Sequence, residues 1–121
     1  MAWQFNAIEP IYLQIADRLM GQIIRGVYGC GDRLPSVREL ALSAEVNPNT
    51  IQRAFMELQN KGLVVTESTA GKFVTKNEET IREIKGALLA AKTETFLNSL
   101  NSYGITKEQL IIYLKGGKTD G

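Results

Sequence analysis

Apolar positions along this chain fall into blocks of two different periods. From Pro10 to about Arg25 they recur at helical spacing. Tyr12, Ile15, Ala16, Leu19 and Ile23 make one stripe, and Leu13, Met20 and Ile24 make a second on the opposite side. Gly26, Gly29 and Gly31 then mark turn material. Ser36 with Glu39 forms a capping box ahead of Val37, Leu40 and Ala41, so a short helix is expected to end near Ala44. Asn47 as N-cap and Pro48 as first helical residue open another helix, closed by Gly62. Ile51, Ala54, Phe55 and Leu58 are its inward face. Short helix, tight turn and helix make a helix-turn-helix.

The period then drops to two. LVVT (63–66) and KFVT (72–75) are short β-branched or aromatic runs around ESTAG, which predicts a hairpin. From Asn77 helical spacing returns and continues to about Tyr103. Ile81, Ile84, Leu88 and Ala91 form one stripe, and Leu89, Phe96, Leu100 and Tyr103 form another. Gly86 lowers helix propensity and is a candidate bend. Thr106 and Gln109 supply a second capping box for a last helix to about Leu114. The expected fold is mainly α with a small β-hairpin. A winged helix-turn-helix occupies residues 1–76, and a short two-helix dimerisation region occupies 77–121, ending in a loose tail. Doubly striped helices at both ends of the chain predict burial against the domain on one side and against a second subunit on the other. The candidate dimerisation residues are Leu13, Met20, Ile24, Leu88, Leu89, Phe96, Leu100 and Tyr103.

The stretch EVNPNTIQRAF carries the candidate chemistry. At 100° per residue, Asn49 and Arg53 point away from the apolar face, flanked by Thr50 and Gln52. A helix N-terminus with free N–H groups attracts phosphate. Asn pairs with adenine and Arg with guanine in bidentate fashion. Asn47, Asn49, Thr50, Gln52 and Arg53 are therefore candidates for contact with double-stranded DNA, joined by Ser36 and Arg38 at the preceding helix start and by Lys72 on the hairpin. Structural alternatives stand beside them. Asn47 and Pro48 start a helix whatever its role, Ser36 serves the capping box, and Arg53 is four residues from Glu57, at ion-pair spacing.

Composition narrows the rest. Fourteen Lys and Arg against thirteen Asp and Glu give +1, too little for a general polyanion binder but compatible with a few placed cations. The absence of histidine removes His-ligated zinc and His-based acid–base catalysis. Phosphate loops, paired catalytic carboxylates and metal clusters are not evident, so neither an enzyme nor a cofactor is expected. A single cysteine, Cys30, leaves no internal disulfide and suits a reduced, cytoplasmic protein. Apolar runs stay well under the ~20 residues of a membrane span, and no export signal is visible at the N-terminus.

Residues 10–74 resemble the winged-helix domain of GntR-type bacterial transcription regulators, through PIYLQI, GDRLPSVRELA, VNPNTIQRAFMEL and GKFV. The VNPNT form, with a C-terminal part of about 45 residues, is similar to the YtrA subfamily. That resemblance implies a repressor-like DNA-binding dimer, formed through two C-terminal helices, with transport operons as common targets, and two-fold symmetry then predicts an inverted-repeat operator. Arg38 matches the family arginine that contacts DNA. Asn47, Asn49 and Thr50 fall on the recognition-helix start, with Gln52 and Arg53 on the next turn. Two departures stand out. Cys30 replaces a usual proline, and the wing lacks the usual arginine and first glycine, which weakens the expectation for Lys72. The alternative reading is a winged helix used for protein contact without specific DNA binding. A small-molecule effector at the subunit interface is compatible with this organisation, but no residue set singles one out.

Overall fold

The structure, a computed structural model, describes residues 3–67 and 70–118. Its elements run α1 (Ile11–Ile24), α2 (Val37–Ala44), α3 (Pro48–Asn60), β1 (Val64–Glu67), β2 (Gly71–Val74), α4 (Glu78–Asn101) and α5 (Lys107–Leu114). The chain divides into two compact units, Met1–Ile84 and Lys85–Gly121, with the division falling inside α4.

Local chemistry accounts for the helix starts of the first unit. Pro10 sits at the N-cap of α1 rather than inside it; its fixed φ suits either position and its missing N–H costs nothing there. At α2 the Glu39 N–H donates to Ser36 Oγ at 3.0 Å, while Glu39 Oε1 accepts from the Ser36 N–H at 3.4 Å. Asn47 Oδ1 accepts from the Asn49 N–H at 2.8 Å and caps α3, with Pro48 as its first residue. Between α2 and α3 the chain turns through Glu45 at φ 57°. A left-handed residue here ends α2 as glycine commonly does, and its N–H donates to Ala41 O.

These helices bring the expected apolar stripes together. Ile15, Leu19 and Ile23 of α1 meet Leu40 and Ala41 of α2 and Ile51, Ala54, Phe55 and Leu58 of α3 in one core, which Leu34, Leu63, Val64 and Val74 complete. Burying each large side chain contributes roughly 1.5–3 kcal/mol, so the amphipathic pattern dominates the choice of fold. Of the second α1 stripe, Leu13, Met20 and Ile24 are half-buried, and Met20 packs against the core. Two contributions escaped the periodicity reading. Trp3 and Phe5, ahead of α1, stack at 5.9 Å between ring centroids and pack on the core, and Trp3 Nε1–H donates to Ser43 Oγ of α2 at 3.0 Å.

β1 and β2 pair antiparallel, Val64 opposite Val74 and Glu67 opposite Gly71. Ser68 and Thr69 of the expected turn lie outside the described residues. Gly71 has φ +105°, which a side-chain-bearing residue would not adopt without strain. Beyond the expected hairpin, the segment before α2 lines the free edge of β2. The Leu34 N–H donates to Lys72 O at 2.9 Å, the Val74 N–H donates to Asp32 O at 2.8 Å, and Arg33 bridges Phe73. Sequence alone reads 26–32 as turn because three residues are too few to show a strand period. The first turns of α4 also belong to this unit, since Ile81 and Ile84 pack on its core.

The second unit has a different character. α4 is continuous through Gly86, and α5 opens on the Thr106–Gln109 capping box. Neither helix contains a buried residue. Leu89, Phe96 and Tyr103 are 69%, 51% and 81% exposed, and Leu88 and Leu100 are half-buried.

Candidate nucleic-acid interface

The start of α3 is built so that its polar residues stay outside. Phe55, Ile51 and Leu58 are fully buried on one side of the helix, which fixes its rotation. Asn49, Gln52 and Arg53 are then exposed, and Thr50 is half-buried at the edge. Asn47 is exposed with Oδ1 engaged in the cap. Asn49 contributes its backbone N–H to that cap and leaves its side-chain amide uncommitted among the described hydrogen bonds. Arg38, in the first turn of α2, is exposed, while Ser36 is half-buried with its hydroxyl in the capping box.

Two of the candidate cations are held elsewhere. The Arg53 guanidinium lies over the Tyr12 ring of α1, 4.0 Å from its centroid. The alternative pairing with Glu57 is not formed. Cation–π contact with an aromatic ring is worth about 0.5–1 kcal/mol at an exposed site, at least that of an i,i+4 surface pair at ~0.3–0.5 kcal/mol. Lys72 does not project from the hairpin. Its Nζ donates to Gln59 Oε1 of α3 at 3.1 Å and to Thr66 Oγ1 of β1 at 2.7 Å. Alternation along β2 explains this, since Lys72 shares the face of Val74, which is buried in the core. The structure thus brings Ser36, Arg38, Asn47, Asn49, Thr50 and Gln52 to the two helix starts of the helix-turn-helix. It ties Arg53 to α1 and turns Lys72 toward α3.

No carboxylate forms a direct ion pair with this surface among the described residues. Among the described residues, only Arg82 forms ion pairs, with Glu79 at 2.7 Å and Glu78 at 3.9 Å. The Glu79 hydrogen bond and charge raise the pKa of Arg82 further above its ordinary value. Arg38 has no such partner. Likewise, no described group of three or more His, Cys, Asp or Glu is disposed to hold a metal ion, and no described helix is long and apolar enough to cross a membrane.

An exposed polar helix start, preceded by a short capped helix and followed by a hairpin packed on the same core, is a winged helix-turn-helix. Residues 11–74 match the family described as bacterial regulatory proteins, gntR family. The chain belongs to the GntR family. It is 40% identical over 112 residues to the HTH-type transcriptional regulator YhcF of Bacillus subtilis, covering 93% of each chain. It is 32% identical over 107 residues to the HTH-type transcriptional repressor YtrA of the same organism, covering 88% of this chain and 82% of YtrA. A solved GntR family transcriptional regulator from Listeria monocytogenes superposes with a TM-score of 0.87 at 38% identity, covering 94% of this chain and all of that one. This GntR-family chain is a transcriptional regulator with a DNA-binding domain, not an enzyme.

Proposed function

We propose that this protein is a homodimeric, sequence-specific repressor whose two helix-turn-helix units bind an inverted-repeat operator. The observation that carries the reading is the α3 start, where Asn49 and Gln52 stand exposed with side-chain amides unbonded among the described residues, on a helix whose rotation the core fixes, while Arg38 is exposed in the first turn of α2. Asn and Gln are suited to adenine in the major groove, and Arg38 to phosphate or a base edge. Repression is supported by similarity to a relative named as a repressor, and transport genes are the targets that the subfamily resemblance points to. Dimerisation is supported by the apolar side chains that α4 and α5 leave uncovered. Two-fold symmetry then asks for half-sites centred roughly 10 base pairs, or a multiple of that, apart.

The test is affinity for a duplex that the parent protein selects from a random-sequence pool. Arg38→Ala and Asn49→Ala are each expected to weaken binding by ~1–3 kcal/mol with unchanged circular dichroism. Parent-like affinity in both variants removes these residues from the interface. Flat affinity across a salt titration, where counterion release demands a steep fall, supports the protein-contact reading instead.

A further inference from the structure

The wing of this chain has lost its expected cation twice over, because no arginine occurs in 67–74 and Lys72 is turned onto α3. A different residue supplies one. Arg33 bridges Phe73 across the free edge of β2, and directly opposed residues share a face. Gly71 lies on that face too, two residues along. It is the face opposite the one from which Lys72 reaches Gln59. The Arg33 side chain runs along the hairpin to Gly71, where a Cβ would stand 3.5 Å from Nε and 3.6 Å from Nη2. Those are ordinary contact distances, so the guanidinium lies flat against the backbone at Gly71. Arg33 is exposed and forms no ion pair among the described residues, although Glu67 stands opposite Gly71 in the ladder and Asp32 is its chain neighbour. Asp32 is committed locally, its Oδ2 accepting from the Gly29 N–H at 2.7 Å.

We propose that Arg33 is the wing's DNA contact, binding a backbone phosphate beside the groove that α3 enters. The inference rests on the proposed binding of duplex DNA. Its chemistry is that of a planar guanidinium, always charged, laid on an exposed hairpin edge with its donors free for a phosphate oxygen. Because the bridge to Phe73 is made by the backbone, the charge can be removed without removing the strand pairing.

The experiment measures affinity against salt concentration for the duplex that the parent selects from a random-sequence pool, using the full chain. Arg33→Gln, which keeps most of the stem, is expected to weaken binding roughly tenfold and to flatten the log–log salt slope by about 1 for each bound copy. Arg33→Lys is expected to recover the slope. Thermal melts of both variants that match the parent's exclude a folding defect. Parent-like affinity and slope in Arg33→Gln, with Arg38→Ala still weakened, overturn the assignment of Arg33 and leave the DNA reading standing. A loss seen only with particular flanking base pairs overturns the phosphate contact in favour of groove reading. A parent protein that selects no duplex overturns both.

Discussion

The two units treat the same kind of apolar stripe in different ways. In the first, the stripes of α1, α2 and α3 close on one another, and Phe55 is completely shielded. In the second, the two stripes of α4 leave no residue fully buried, and α5 leaves Ile112, Tyr113 and Leu114 exposed. A periodic stripe shows that a face needs cover, but it does not say whose. The first unit supplies its cover from elements that are close in sequence and joined by short turns. The second has most of one long helix and one short one, too little to enclose a core, and the proposed dimer is what would cover them. In the proposed dimer, the stability of this region depends on protein concentration.

That contrast can be broken by mutation. Phe55→Ala is expected to cost ~3–5 kcal/mol of unfolding free energy, read from chemical denaturation of the first unit's helices. A cost below ~1 kcal/mol means that the first unit is not the closed core described. Phe96→Ala should act differently. It is expected to weaken self-association by ~2 kcal/mol or more, as truncating a central aromatic of an interface does, and to leave the helical signal of the first unit in place. Sedimentation across a dilution series measures it, and unaltered association removes Phe96 from the dimer surface. The smallest effect sharpens the comparison. Asn47→Ala deletes the α3 cap and is expected to lower stability by ~1 kcal/mol, by the same amount at every protein concentration. A loss that varies with concentration ties the α3 start to association rather than to the first unit's own fold.

Most of the fold was legible because its signals are local. Capping boxes at Ser36–Glu39 and Thr106–Gln109 join residues three apart, and both form as read. Asn47 and Pro48 start α3 where their chemistry requires. The hairpin is present one residue away from the expected limits, over Val64–Glu67 and Gly71–Val74. Less legible were partnerships between elements. No spacing rule links Arg53 to Tyr12, forty-one residues earlier, or Trp3 to Ser43. The contribution of 31–34 to the sheet edge was likewise hidden in turn-like composition.

By itself, then, the sequence determined where helices start and stop, which faces are apolar, and that α3 begins with hydrogen-bonding residues directed away from its core side. Those features depend on interactions within about one helical turn, which residue spacing encodes directly. The tertiary structure alone decided where the long cationic side chains rest. Arg53 is stacked on α1, Lys72 is bonded to α3, and Arg33 is laid against Gly71. Such pairings depend on the positions of packed elements, and a long side chain goes to whichever ring, amide or gap the packing brings within its reach.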